Sequence, residues 1–450
     1  MQAIKTIIFR TQRANKRKDR VLQELISDWR GLVEFFLKKC FEHDIISKAK
    51  LHKLAYSESK TIVKEGKRHS KYRYTAMEVA LSIYKSWRKL KKRGKAEKIP
   101  EVKKLFLKLY KESNGAGVYQ LVEKKGMWFI KIATSPRDNV ILPLIFSDYH
   151  KHFLEAWKKG KLRLGEAYLR RNPDGSYEVH IVFKKEVREK KFERRMGVDI
   201  NEQNITISVL EGSKVIYATH IDISELSRLD YAYKMVRIRK LQKKLYKGYR
   251  PKLVPKERIE VIRRYSQRWR KRKEQVLHVL SKYIVSLATT FQAKIVMEDL
   301  RYIKERILSK GRKLNRRLAL ADFRKFQMMV EYKAKWIGVP VVYVNPKNTS
   351  RICPICGLPM TGISQRELLC KECGIVWNRD FSASINIALR DVARSVRAEA
   401  PTIPVRRRKV SSNDVRVEGI ICAMKGRYSC LLYTSPSPRD LSTYRMPSSA

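Results

Sequence analysis

The sequence predicts a multidomain α/β protein: a β-rich module interrupted by helices, then a second α/β domain with a zinc ribbon set into it. Three observations lead there. Apolar residues alternate with period two near residue 1 and again from about residue 117, with helical spacing between the two stretches. From residue 196, strands give way to strands alternating with helices. Two Cys-x-x-Cys pairs then interrupt that second pattern.

Residues 1–10 alternate as a strand does. Over 18–46 the period becomes helical, with Val21, Leu22, Leu25, Ile26, Trp29, Leu32, Val33 and Phe36 on one face. A second helix carries Met77, Ala80, Ile83, Tyr84 and Trp87, and a short third is predicted from Leu105 to Tyr110. The polar positions between are mostly Lys and Arg. Two strands flank Lys124-Lys125-Gly126, and residues 161–184 read as a hairpin around Asn172-Pro173-Asp174-Gly175. There Pro presets φ and Gly accepts a positive one. After a charged linker at 185–195, strands are predicted at 196–210 and 214–219, then long basic helices at about 224–247 and 255–291. A strand at 293–298, a helix at 322–337, a strand at 339–344 and a helix from Ser382 to Val396 complete the pattern. A meander followed by strands alternating with helices predicts a mixed sheet covered by helices, as in ribonuclease-H-like folds. Residues 401–450 are rich in Ser and Pro and lack periodicity, so they read as a disordered tail. The last ~20 of them look like translated non-native sequence.

With 43% hydrophobic residues the chain can bury a core, yet 100 Lys and Arg against 44 Asp and Glu give a net charge of +56. That excess repels itself unless an anionic partner shares the surface. A thermophile surface would balance its Lys with Glu, and a membrane-surface protein would concentrate the charge in one amphipathic helix. Neither holds here, which leaves a polyphosphate backbone. No apolar stretch approaches a membrane span. Seven cysteines, four of them clustered, do not read as a disulfide framework, so an intracellular protein is expected.

Cys353-Pro-Ile-Cys356 and Cys370-Lys-Glu-Cys373 have the spacing of two zinc knuckles, each followed by a glycine, Gly357 or Gly374, that permits the tight turn. Four thiolates leave no open coordination position, so this zinc is expected to be structural. Cys40, Cys422 and Cys430 fall outside the pattern. Among the scarce acidic residues, Asp199 interrupts an apolar strand, Glu298 ends another, and Asp380 stands at a helix start. A carboxylate at any one such place is more often a cap or a surface residue. Three of them in so basic a chain are expected to hold two magnesium ions for phosphodiester hydrolysis. Arg263, Arg264, Arg268, Arg270, Lys271, Arg272 and Lys273, with Tyr265 and Trp269 interleaved, are expected to contact phosphates rather than to form a merely solvated helix face. His278 on the same helix is expected to be packed or backbone-bonded rather than a base.

Several of these segments together resemble the TnpB (OrfB) proteins of insertion sequences. They are Glu331-Tyr-Lys-Ala-Lys335, Gly338-Val-Pro-Val-Val-Tyr-Val-Asn-Pro346, Thr349-Ser350 leading into Cys353, the second knuckle, Arg379-Asp380 and Asn386-Ile387. Gly197-Val-Asp199 is similar to the first RuvC motif and Ile295-Val-Met-Glu298 to the second. The specific resemblance covers residues 196–396, and the N-terminal half matches in plan. Three departures stand out: Asp299 where the family has Asn, and Asn378 and Ser382 where it has Asp and Asn.

The resemblance implies a wedge-like β module (1–15 and 116–190) holding a helical recognition insertion (16–115). It implies a RuvC-like nuclease domain in two parts (191–349 and 379–400) around a zinc ribbon (350–378) that binds target nucleic acid. It implies that Asp199, Glu298 and Asp380 are the catalytic carboxylates, and that Cys353, Cys356, Cys370 and Cys373 bind zinc. The activity implied is that of an RNA-guided DNA endonuclease, a monomeric ribonucleoprotein in the prokaryotic cytoplasm. Its guide RNA would derive from the transposon end, and its double-stranded target would carry a short adjacent motif. A miniature type V CRISPR effector is the alternative within the enzyme class, and a catalytically inactive nucleic-acid-binding repressor the alternative outside it.

Overall fold

A computed structural model describes residues 1–94, 96–102, 106–111, 117–224, 237–248, 254–301 and 322–395. The expectations for 401–450, including Cys422 and Cys430, lie outside the described residues. So does much of the helix expected at 224–247. The chain divides into two compact units: Met1–Lys190 with Tyr332–Gly338, and Lys191–Glu331 with the residues from Val339 onward. Among the described residues no helix is long and apolar enough to cross a membrane.

The first unit is built on an antiparallel sheet of seven strands. These are β1 (Gln2–Thr11), β2 (Leu107–Leu109), β3 (Tyr119–Lys124), β4 (Met127–Ala133), β5 (Asn139–Ile145), β6 (Arg163–Arg171) and β7 (Tyr177–Glu186), in the order β2-β6-β7-β1-β5-β4-β3. Register follows the apolar alternation: Ile7 lies opposite Ile181 and Phe9 opposite Val179, all inward. An isolated bridge between Lys111 and Gly117, with Val118 N donating to Tyr110 O at 3.0 Å, lies between the end of β2 and the start of β3.

The helices α1 (Lys16–Glu42), α2 (Lys48–Ala55), α3 (Ser59–Ile62) and α4 (Lys71–Lys91) follow β1, and α5 (Asp148–Lys158) follows β5. Asn15 caps α1 by accepting from Lys18 N. The face from Leu22 to Phe36 is buried against α4, where Trp29 Nε1 donates to Thr75 Oγ1 at 3.0 Å. The helix expected at Leu105–Tyr110 is instead the strand β2. Leu107 and Leu109 are both buried against β6, a period of two that so short an apolar run does not distinguish from a helical turn.

The second unit centres on a mixed sheet of β8 (Arg194–Ile200), β9 (Asn204–Glu211), β10 (Lys214–Asp222), β11 (Ala293–Glu298) and β12 (Val341–Val344), ordered β10-β9-β8-β11-β12. The first three form an antiparallel meander, and β11 and β12 run parallel to β8. The single strand expected over 196–210 is therefore a hairpin. Asn201 N donates to Asn204 O at 2.9 Å and turns the chain. Helices α6 (Arg239–Leu245), α7 (Lys256–Thr290), α8 (Phe323–Ile337) and α9 (Arg379–Ser395) accompany the sheet, α8 ending in the first unit. A three-stranded sheet of β13 (Thr361–Gly362), β14 (Glu367–Cys370) and β15 (Ile375–Asn378) carries the cysteines.

Helix α9 crosses β8 where the strand has no side chain. A Cβ on Gly197 would overlap the Ser384 carbonyl and press on Ala388. Gly197→Ala should therefore destabilise the protein by about 1–3 kcal/mol or more, read as a lower urea midpoint, whereas an unchanged midpoint would mean the helix slides freely over the strand.

Candidate active site and metal centre

Strand alternation and the β8–β11 register bring two of the expected carboxylates side by side. Met297 pairs with Val198 in parallel, so Glu298, the last residue of β11, stands next to Asp199 near the end of β8. Carboxyl ends of adjacent parallel strands are where open α/β sheets form their sites. Asp380 enters from the first turn of α9, and Asn204 Nδ2 donates to its Oδ2 at 3.0 Å. Asn201 Nδ2 donates both to Asp199 Oδ2 at 2.7 Å and to Asn204 Oδ1 at 3.0 Å. The β8–β9 turn thus ties Asp199 to Asp380 by side-chain amides.

Both aspartates are buried, at 7% and 2% exposure. Burial pushes the Asp199 carboxyl up to about 8, and the charges of Glu298 and Asp380 add to this against the Asn201 hydrogen bond and Arg379. Burial also raises Glu298, opposed by its bond from Thr349 and by Arg390. Arg379 Nε lies 3.6 Å from Asp380 Oδ1 but is largely exposed. Crowded, buried oxygen donors of one sign fit a hard divalent cation, whose charge would relieve their repulsion.

Residues to which the sequence reading gave no role hold this arrangement. Thr349 Oγ1 donates to Glu298 Oε1 at 2.5 Å, and Asn386 of α9 donates to the carbonyls of Thr349 and Ile352 at 2.8 and 2.7 Å. Gln327 of α8 donates to the Glu298 carbonyl at 2.6 Å. Thr349 and Gln327 are buried, which the sequence does not show; the signal it did offer was the place of Thr349 and Asn386 in the segments that carry the family resemblance. Across the meander Thr206 stands opposite both Asp199 and His220, and Thr206 Oγ1 lies 3.0 Å from His220 Nδ1. Asp299 is not part of the cluster. It points to the other side of β11, where Arg301 grips both its oxygens at 2.9 and 3.0 Å through Nε and holds it down to about 2. Asn378 caps α9, accepting from Asp380 N at 3.0 Å, and Ser382 Oγ donates to the Arg379 carbonyl, so both departures have local roles.

The four cysteine sulfurs all lie within 4.8 Å of one another. Among the described residues they are the one set of Cys, His, Asp or Glu side chains gathered so closely, and the three carboxylates are spaced more widely. Cys353 and Cys373 sulfurs are 4.0 Å apart and those of Cys356 and Cys370 3.5 Å. A tetrahedron with Zn–S bonds of about 2.3 Å requires about 3.8 Å between sulfurs, so the set fits. Gly357 and Gly374 both take the positive φ that the knuckle turns demand, at 75° and 67°. Cys40 lies instead in the core of the first unit, where burial pushes its thiol up to about 11.

On α7, Arg263, Arg264, Arg270, Lys271 and Arg272 are exposed. Lys273 is not free for a phosphate, because Asp322 lies 3.4 Å away. The side chain of Arg268 lies outside the described residues. Trp269 is buried and anchors the helix, while Tyr265 is 48% exposed. His278 is exposed rather than packed. The buried stripe runs through Leu277, Leu280 and Ile284, and residue 278 falls off it.

The family described as Cas12f1-like, TNB domain, matches residues 323–387. The Uncharacterized protein MJ0013 family matches residues 25–113. The chain is 39% identical over 259 residues to the TnpB-like protein MJ0751 of Methanocaldococcus jannaschii, a match covering 57% of this chain and 89% of that protein. It is 30% identical over 241 residues to the CRISPR-associated endodeoxyribonuclease Cas12f2 of a Micrarchaeota archaeon, covering 48% of this chain and 40% of that one. In fold it is similar to the protein in a Cas12f1–sgRNA–target DNA complex, with a TM-score of 0.59 at 14% identity over 86% of this chain and 99% of that chain.

Two outcomes follow from the site geometry. Thr349→Val should lower divalent-metal affinity or metal-dependent activity by roughly 10–100-fold by releasing Glu298, with little loss of fold by circular dichroism. A carboxyl raised in the folded state opposes folding at every pH above its unfolded value. Asp199→Asn should therefore raise the Tm of the metal-free protein near neutral pH, by roughly 2–4 °C for each kcal/mol relieved; a lowered Tm would mean that the charge is already compensated.

Proposed function

The chain belongs to the TnpB-like family, relatives of the type V CRISPR effectors, and from that premise we propose that it is an RNA-guided DNA endonuclease with a RuvC-like, ribonuclease-H-type nuclease domain. The observation that carries this reading is the approach of Asp199, Glu298 and Asp380 from β8, β11 and α9 to one end of a mixed sheet.

When bound there, magnesium supplies an activated water and a counter-charge for the leaving oxygen of the phosphodiester. Asp199, Glu298 and Asp380 would hold it. Asn201 and Asn204 fix the two aspartates relative to each other, and Thr349 orients Glu298. Cys353, Cys356, Cys370 and Cys373 would hold one structural zinc and so brace the segment running from Thr349 to Asp380. The β module (1–15 and 116–190) and the helical insertion (16–115) are assigned to guide RNA and heteroduplex, and Arg263 to Arg272 on α7 to phosphates. A charge of +56 supports a polyanionic partner throughout. Base pairing would select the target, with the protein reading a short adjacent motif.

The test is to express the protein with its native flanking DNA, sequence the RNA that copurifies, and assay cleavage of a matching duplex. One dominant RNA spanning the element end and magnesium-dependent cutting are expected. Asp199→Ala and Asp380→Ala should reduce cutting to background while guide and target binding persist. Repeat-spacer RNA would move the protein to the CRISPR effectors. RNA of mixed sequence that washes off in salt, with no cutting, would leave only a basic nucleic-acid-binding protein.

A further inference from the structure

Asp199, Thr206 and His220 form one row across the meander, on β8, β9 and β10. Residues directly opposite on neighbouring strands point to the same face of a sheet. Gly197, two residues before Asp199, meets the Ser384 carbonyl of α9, so that face is the one on which Asp380 stands. Two cross-strand steps put the His220 side chain roughly 10 Å from that of Asp199. His220 is exposed, and its ring lies 6.3 Å from that of Phe381, the residue after Asp380.

The proton on this ring has a defined place. Thr206 is 0% exposed, and among the described residues its hydroxyl has one partner, His220 Nδ1, at 3.0 Å. A buried hydroxyl gives its proton to an acceptor, so Nδ1 accepts and the neutral ring carries its hydrogen on Nε2. Partial desolvation of the ring holds it below its ordinary pKa against the pull of Asp380; Arg366 acts with desolvation and Asp222 against it. His220 is therefore a neutral donor with a fixed axis.

The donors of Asn201, Asn204 and Thr349 already serve Asp199, Asp380 and Glu298. A cation in the place of His220 would pair with Asp380 and rival a metal ion for it. A neutral N–H holds an oxygen without that competition, and phosphate oxygens of nucleic acid accept from neutral side chains as well as from Arg and Lys. At roughly 10 Å from Asp199, the ring stands beyond a phosphate held at the carboxylates and within reach of the next one.

We propose that His220 Nε2 donates to a non-bridging oxygen of the phosphodiester next to the one that is cut. His220 is then a substrate-contacting residue that orients the strand at the carboxylates, and Thr206 a positioning residue that fixes the donor's direction. The proposal rests on the reading of the chain as a nuclease and adds a neutral contact to its three carboxylates.

The test pairs His220 variants with a duplex matching the copurified RNA, in which single methylphosphonates replace the phosphates around the cut. In the wild type one methylphosphonate, adjacent to the cut, should lower kcat about tenfold. His220→Ala should lower kcat on the unmodified duplex about tenfold, with Tm unchanged, and should be indifferent to that methylphosphonate. His220→Gln, whose amide can donate from near the place of Nε2, should recover most of the rate. Losses that multiply, or a His220→Ala protein as fast as the wild type, overturn the proposal. A second readout needs no cutting. With calcium in place of magnesium, ¹⁵N-histidine NMR of the full chain with its RNA should show the Nε2–H tautomer of His220, identified by its loss in His220→Gln. The matching duplex should shift that nitrogen. A shift without cutting under magnesium would sink the nuclease reading and leave the contact. Cutting without a shift overturns the contact and leaves the nuclease, and neither one overturns both.

Discussion

The packing of α9 across β8 at Gly197 is the constraint on which the rest of the second unit depends. Because residue 197 has no Cβ, the helix backbone at Ser384 sits against the strand, and the first turn of the helix carries Asp380 toward Asp199. Ser208 and Ser384, 2.6 Å apart, seal the same interface with a buried hydroxyl pair. From the middle of the helix, Asn386 secures the Thr349 loop, and Thr349 in turn fixes Glu298. One close approach therefore sets all three carboxylates, and the cysteine-bearing ribbon enters the chain between two of them. Such a site stores unfavourable charge in the absence of a cation, as functional sites commonly do.

How much of this was legible in sequence follows the physics of each signal. The cysteine pairs and their glycines were readable because zinc geometry demands a fixed local spacing. Long apolar stripes such as Leu22 to Phe36 were readable because burial repeats over several turns. Asp199, Glu298 and Asp380 stood out as charges in otherwise apolar or helix-starting segments, but their approach depends on the β8–β11 pairing, a contact across about a hundred residues that no local pattern encodes. The brief elements failed for the opposite reason. Leu107–Leu109 is too short for period two to differ from a helical turn, and the turn at Asn201–Asn204 hid inside one apolar run. The supporting hydrogen bonds of Thr349, Asn386 and Gln327 were not legible, since a polar residue becomes informative only once its burial is known.

The basic charge is likewise divided by structure in ways composition does not show. On α7, Lys273 is paired with Asp322 and Trp269 turns inward, while Arg263, Arg264, Arg270 and Arg272 are exposed. In the first unit Arg73 is buried and held by the Val63 carbonyl, and Arg171 is spent on Asp19. Net charge draws a polyanion toward the chain; the individual cations, some neutralised and some free, decide where it rests.

The central claim is that Asp199, Glu298 and Asp380 form one divalent-cation site. Electron paramagnetic resonance of Mn²⁺ titrated into the zinc-loaded protein tests it most directly. The account predicts a bound-Mn²⁺ signal that magnesium competes away and that Asp199→Ala abolishes. Equal Mn²⁺ binding by wild type and variant, or none by either with the guide RNA and target present, would contradict it.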